Sequence, residues 1–404
     1  MPSFIYKVKD ETGKVFSGVL EADNARALRK KLHDSGYYVI SVTSAKEKKR
    51  LPFLERRINL DTLLLFTHQL SSMIEAGMPI LMSLDILWRE IDHPKMQVVI
   101  SQIRNRLSEG KSLSEATEEF PDVFPVMYRA LLKVAETGGG LVAILKKLTQ
   151  YLEKQREFIT KVKRALTYPL IVIGVAVVVV ILMLTLVVPT FQRVFRQINV
   201  ELPFLTQLVI NISKIMRTFY FWLALTGVVF LLIFVYKRLR KNPKTSLAID
   251  RLKLKLPIMG KIFYLTSLGR FTRSLSLLVG GGLPIAESMD IASQTAVNKE
   301  IEASLDWTKR RIVEGVALNE ALRETKTFPA ILVEMIAVGE QSGTLAGMLE
   351  RVATHFEEDL DSRISRFLTM LEPLLIVLVG GVVIFVLLSI YLPIFKLWGA
   401  LAQR

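Results

Sequence analysis

The stretch FTHQLSSMIEAGMPILMSLDI at residues 66–86 returns as FTRSLSLLVGGGLPIAESMDI at residues 271–291. The register pairs Phe66 with Phe271, Thr67 with Thr272, Gly77 with Gly282, Pro79 with Pro284 and Asp85 with Asp290 at an offset of 205. It runs on through Glu109-Gly110/Glu314-Gly315, Glu115/Glu320 and Ala116/Ala321. One residue is then lost, and an offset of 204 pairs Phe124-Pro125 with Phe328-Pro329, Glu136 with Glu340 and Gly139 with Gly343. The same offset joins Pro169 to Pro373 and Pro189 to Pro393. Self-similarity of this length means a duplicated structural unit. The pairing does not stop at polar sequence, so each unit includes a water-exposed part and the apolar run that follows it.

Three runs lack charge over a length that can cross a bilayer: 165–192, 218–236 and 373–395. A hydrocarbon core of ~30 Å needs about 20 apolar helical residues. The N-terminal MPSFIYKVKDETGK is charged and has no apolar stretch, so no signal peptide is expected. Basic residues crowd before the first run (Arg156, Lys161, Lys163, Arg164) and after the second (Lys237, Arg238, Arg240, Lys241, Lys244). This bias places the N-terminus in the cytoplasm. Parity agrees: two like units on one side need an extra span between them, and 218–236 supplies it.

The composition fits an integral membrane protein with sizeable exposed parts. Of 404 residues, 51% are hydrophobic and 23% charged, and mean hydropathy is +0.37. The absence of cysteine excludes a disulfide framework, thiol catalysis and Cys-based metal sites. His33, His68, His93 and His355 are scattered, with no HExxH. The net charge of +15 is spread along the chain rather than interleaved with aromatics, so direct nucleic-acid binding is not expected. Gly110-Lys111-Ser112 imitates the end of a nucleotide loop, but Asn105 stands where that loop needs glycine, and the second copy reads Gly315-Val316-Ala317. The runs carry no Asp, His, Lys or Arg for intramembrane proteolysis, and their apolar centres argue against a transporter site.

Helical spacing fills the polar part of each copy. Leu141, Leu145, Leu148 and Leu152 form one stripe, and Leu345, Leu349, Val352 and Phe356 repeat it. Turn signals fall at AGMP 76–79, EGKS 109–112, FPDVFP 120–125 and TGGG 137–140, and Ser112 with Glu115 makes a capping-box pattern. The fold expected is mostly α, a polytopic inner-membrane protein with two duplicated cytoplasmic six-helix bundles, three transmembrane helices and a small N-terminal ββαβ module. The boundaries expected are a module at 1–43, a charged linker at 44–58 and a first bundle at 59–167. A span at 168–190, an external loop at 191–217 and a span at 218–236 follow. The second bundle takes 237–371, the last span 372–395, and a short external tail 396–404.

Carried by the paired motifs, the turns AETGGGL and GEQSGTL, Tyr168-Pro169, Glu372-Pro373, ELPFLT at 201–206 and the N-terminal KDETGKVFSGVLEADNARALRKKL, the chain resembles the type II secretion F / type IV pilus inner-membrane platform family. The resemblance covers essentially the whole chain. TGGG replaces the usual Ser-Gly turn in the first copy, and His68 stands where arginine is common. The resemblance implies a non-enzymatic homo-oligomer in membrane lipid that couples a cytoplasmic secretion or pilus ATPase to the insertion or removal of pilins or pseudopilins, alongside other inner-membrane assembly proteins. No catalytic residue, cofactor or metal is expected. Phe66 and Phe271 read as core, and Gly139 and Gly343 as positive-φ turn positions. Gly77, Pro79, Gly282 and Pro284 mark the paired turns, and Pro169 and Pro373 the entry to the spans. Glu136 and Glu340 read as helix-end caps, partner contacts or metal-binding carboxylates. Glu372, at the mouth of a span, reads as an inter-helix or pilin contact or as an interfacial residue.

Overall fold

The computed structural model describes residues 3–9, 15–21, 26–29, 38–44, 57–138, 140–190, 193 and 204–401. Gly139, most of the linker, residues 194–203 and the last three residues lie outside the described residues.

Strands β1 (Ser3–Lys9), β2 (Val15–Glu21) and β3 (Tyr38–Ser44) form an antiparallel sheet in the order β2-β1-β3. β1 meets β2 from Ser3↔Glu21 to Lys9↔Val15, and its pairing with β3 shifts between Lys7 and Val8. Residues 26–29 are helical and Leu28 is buried.

From Leu60 onward the described chain is helical. The first copy runs α1 (Leu60–Glu75), α2 (Ile80–Glu90), α3 (Pro94–Ser108), α4 (Leu113–Glu118), α5 (Val126–Gly138) and α6 (Leu141–Leu182). Its last helix widens into a π-helical stretch at Met183–Val187. Then come α7 (Phe204–Arg217), α8 (Phe219–Lys241) and α9 (Pro243–Lys255). The second copy repeats six helices: α10 (Met259–Val279), α11 (Ile285–Ser293), α12 (Lys299–Val313), α13 (Leu318–Glu324), α14 (Ala330–Ser342) and α15 (Leu345–Leu401). Thus α6 and α15 each run unbroken from a packed bundle into an apolar span. Two boundaries differ from the sequence expectation. The segment expected as an external loop ends in a helix, α7, and the segment expected as a tail continues α15 as far as Leu401.

Among the described residues three helices are long and apolar enough to cross a membrane, within Leu141–Thr190, Phe219–Arg240 and Leu345–Ser389. Most of their apolar side chains point outward without protein cover, as at Leu170, Val178, Phe230, Leu232, Ile376 and Val377. So continuous an apolar surface is stable only against lipid.

The duplication extends to individual interactions. Arg106 pairs with Glu109 and Glu119, and Arg311 pairs with Glu314 and Glu324. Arg104 meets Asp85 as Lys309 meets Asp290. These pairs are half-exposed, so each adds only a few tenths of a kcal/mol up to ~1 kcal/mol. Burial of the apolar faces does more. Phe66, Phe124 and Tyr128 stack in the first core, with ring centroids 6.0 and 5.2 Å apart, and Phe271 meets Phe328 at 6.5 Å in the second.

One core position breaks the symmetry. Thr67 shares a 3.0 Å hydrogen bond with the buried Tyr128 hydroxyl, whose pKa burial drives upward. Leu332 replaces that tyrosine in the second copy, and the buried Thr272 hydroxyl is left without a partner. A buried donor without a partner costs about 1–3 kcal/mol. Thr272→Val is therefore expected to raise the thermal midpoint of the detergent-solubilised chain, whereas Thr67→Val lowers it. Equal shifts of the same sign would contradict this account.

Candidate functional site

The paired motif residues occupy helix ends. α1 closes with Gly77 at φ +79, where Met78 N–H bonds the Met73 carbonyl and Gly77 N–H that of Ile74, each at 3.0 Å. Gly282, at φ +98, closes α10 in the same way through Leu283→Leu278 and Gly282→Val279. This double bond pattern needs a residue that tolerates positive φ, which is why glycine recurs. Two residues later Pro79 and Pro284 begin α2 and α11, their carbonyls accepting from Ser83 and Ser288. Gly343 ends α14 at φ 72, with Thr344 N–H bonded to the Gly339 carbonyl.

Glu136 and Glu340 reach across from α5 and α14 to the start of the next short helix of their own copy. Glu136 accepts from the backbone of Leu113 and from Ser114, both its N–H at 3.1 Å and its hydroxyl. Glu340 accepts from Leu318 N–H at 3.0 Å and Asn319 N–H at 3.2 Å. Each carboxylate thus satisfies the exposed first amides of a helix and meets the positive end of its dipole. In the first copy Ser112 adds a capping box with Glu115, but Ala317 takes that place in the second and offers no side-chain cap. The Ser112 box serves other amides than Glu136 does, so Glu340→Ala and Glu136→Ala are each expected to cost about 1–2 kcal/mol. Hydrogen exchange at the starts of α13 and α4 would show it, and protection unchanged in both variants would contradict the capping role.

Pro169 is buried within α6, while Glu372 and Pro373 are exposed on α15. Among the described residues no group of three His, Asp or Glu side chains could hold a metal. Among the described residues Asp250 of α9 is the most buried carboxylate in an ion pair. Burial pushes its pKa up, but the Lys253 ammonium, the Lys299 amide and Arg240 outweigh burial and hold it below the ordinary value. With Asn298, which bonds the Asp250 carbonyl at 2.9 Å and caps α12, it fixes α9 against the second copy.

Two features have no local sequence signal of their own. The first is the seam between the copies, where α5 lies against α10 and α11 and Lys147 donates to the Gly280 carbonyl at 3.1 Å. Farther along, Lys161 of α6 pairs with Asp361 of α15 at 2.7 Å. The second is α7, which ties the first span to the third. Ser213 donates to the Leu184 carbonyl, and Thr206 to that of Ser389 at 2.7 Å. Leu184 and Ser389 lie at nearly equivalent places in the repeat, and Thr185 and Ser389 each bond four residues back, to Ile181 and Phe385. Val209 and Ile210 complete a small core with Leu184 and Val188. At 1.5 Å per residue, Leu184 stands about 30 Å above Arg164 and Ser389 about 26 Å above Glu372, close to the ~30 Å of a hydrocarbon core. The amphipathic spacing of TQLVINIS at 206–213 could have revealed the helix, though not its two carbonyl partners.

Comparison with known proteins agrees with this architecture. The sequence model described as type II secretion system (T2SS), protein F matches residues 66–189 and again 271–393, and the one described as its N-terminal domain matches 1–43. The type IV pilus assembly protein PilC of Thermus thermophilus is 34% identical over 409 residues, covering 100% of both chains. That of Myxococcus xanthus is 33% identical over 406 residues, covering 98% of this chain and 95% of the relative. The type II secretion system protein F of Vibrio cholerae is 30% identical over 402 residues, 98% of each.

Proposed function

Because the chain belongs to the type II secretion system protein F family, we propose that it is an inner-membrane platform of a type IV pilus or type II secretion machine. It performs no chemistry itself and needs no cofactor. Both bundles and the N-terminal module sit in the cytoplasm, where they meet a separate ATPase. The spans meet pilins or pseudopilins and the other inner-membrane assembly proteins, and several copies assemble together. The carrying observation is the continuity of α6 and α15, 42 and 57 residues long, each of which belongs to a bundle at one end and a span at the other. A rigid helix of this kind transmits a displacement of its bundle to the bilayer without an intervening joint.

Gentle solubilisation and affinity purification of the full chain from its native membranes test the reading. A hexameric ATPase and pilin-type proteins are expected among the recovered partners, and repeated recovery of unrelated transport proteins alone would overturn it. Orientation has its own test in this cysteine-free chain. A cysteine at Val200→Cys is expected to react with an impermeant thiol reagent in intact cells, while one at Lys111→Cys is protected. Equal labelling of both would overturn this topology.

A further inference from the structure

The seam between the two copies is used in one direction only. On the first-copy side stand Leu131 of α5, within 3.3 Å of where a side chain on Gly281 would begin, and Lys147, bonded to Gly280. α14 and the start of α15 correspond to this side, yet they make no comparable contact with α1 and α2.

The repeat says what that contact would contain. Met127, Leu131 and Val134 become Ile331, Met335 and Val338; Lys147 becomes Arg351; Gly280 and Gly281 become Glu75 and Ala76. Where Met127 is 3% exposed, Ile331 is 43% exposed, and Val338 is 50% exposed. Opposite this stripe, Leu81 and Met82 are exposed beside the Ala76 turn, at positions where the second copy carries Ala286 and Glu287. Arg351 also lines a surface recess with Gly347, Glu350, Thr354, His355 and Glu358, on the part of α15 that corresponds to the part of α6 holding Gly280, and Glu350 is already met by Arg273. The free surfaces are therefore apolar, set Arg351 against Glu75, and correspond by the repeat to the two halves of an existing interface.

We infer that α14 and the first turns of α15 receive the Glu75–Met82 turn of a second copy of this chain, reproducing between protomers the seam that joins the two copies within one. Glu75 is half-exposed and bonded to Lys146 at 2.5 Å, and the neighbour's Arg351 brings a second cation to the same carboxylate. Both spans leave their bundles in the same sense and run together at Lys161 and Asp361. Repeating the operation therefore keeps all spans on one side. Such a head-to-tail contact builds a closed ring or an open array rather than a self-complementary pair. It gives a surface to the homo-oligomer of the platform reading and rests on that reading only for the expectation that an oligomer exists.

Ala76→Cys and Met335→Cys, placed in separate, differently tagged full-length chains and oxidised in membranes after co-expression, are expected to give a crosslinked product carrying both tags. Leu131→Cys with Gly281→Cys in one chain marks the internal seam as a control. Closure of the control without the mixed product would overturn the inference, as would a product formed from Ala76→Cys chains alone. Arg351→Glu should reduce the mixed product about tenfold through repulsion of Glu75, and Glu75→Arg should restore it. An oligomer that persists on native gels while neither change alters the crosslink sinks this surface and leaves the platform role standing.

Discussion

Gly260→Ala is expected to destabilise the second copy by about 3 kcal/mol, at the upper end for an added methyl group. A Cβ at this position would begin 2.2 Å from the Leu254 carbonyl oxygen and 2.8 Å from its carbon. Both are backbone atoms, so no rotamer change can make room. The chain is already tight there, because α9 reverses into α10 through a three-residue turn centred on Ile258 at φ 64 and ψ −60, with Met259 N–H bonded to the Pro257 carbonyl at 2.7 Å. A turn of this hand is strained for a β-branched residue. Gly174→Ala, which meets nothing within 4 Å, is the reference. Thermal unfolding in detergent should show a midpoint several degrees lower for Gly260→Ala and no loss for Gly174→Ala. Similar midpoints would mean that the turn is built differently.

Phe66→Ala and Phe271→Ala are each expected to cost about 3–5 kcal/mol, the range for emptying a buried aromatic site. The two side chains are 1% and 0% exposed, and each anchors the first helix of its copy against the segment that enters α5 or α14. Proteolysis of the solubilised chain should then cut the altered copy first. Leu65→Ala, at a half-exposed neighbouring position, is expected to stay within about 0.5 kcal/mol. If all three changes behaved alike, the paired phenylalanines would not be core residues.

The helical copies and the apolar runs were legible because they rest on long signals. A repeat over more than a hundred residues and charge-free stretches of span length survive any local irregularity. The glycines of the paired turns were legible for the same reason, since positive φ restricts what can stand at Gly77 or Gly282. What Glu136 and Glu340 touch was not, because each carboxylate meets amides 21 or more residues away. The helix at 204–217 was hidden because Lys214 and Arg217 at its end, with Arg193 and Arg196 before it, make 191–217 read as a water-exposed connection, and the hydroxyls of Thr206 and Ser213 say nothing of the carbonyls they meet. The seam between the copies belongs to neither copy, so the pattern within one copy could not show it.

The two ties made by α7 give the protein the mechanics of a pair of levers. Leu184 lies 43 residues beyond the start of α6 and Ser389 44 residues beyond the start of α15, about 65 and 66 Å of helix. The fulcrum of one arm is joined to that of the other, and duplication has made the arms equal in length. With these ends tied by α7 and the arms joined again at Lys161 and Asp361, the two arms are held to one another at two heights, so a displacement of the bundles tilts both together. A tilt of about 5° displaces the far end of an arm by about 6 Å, roughly one helical turn. Pro169 and Pro373 stand at the same station along the two arms, so bending, where it occurs, falls at matched heights.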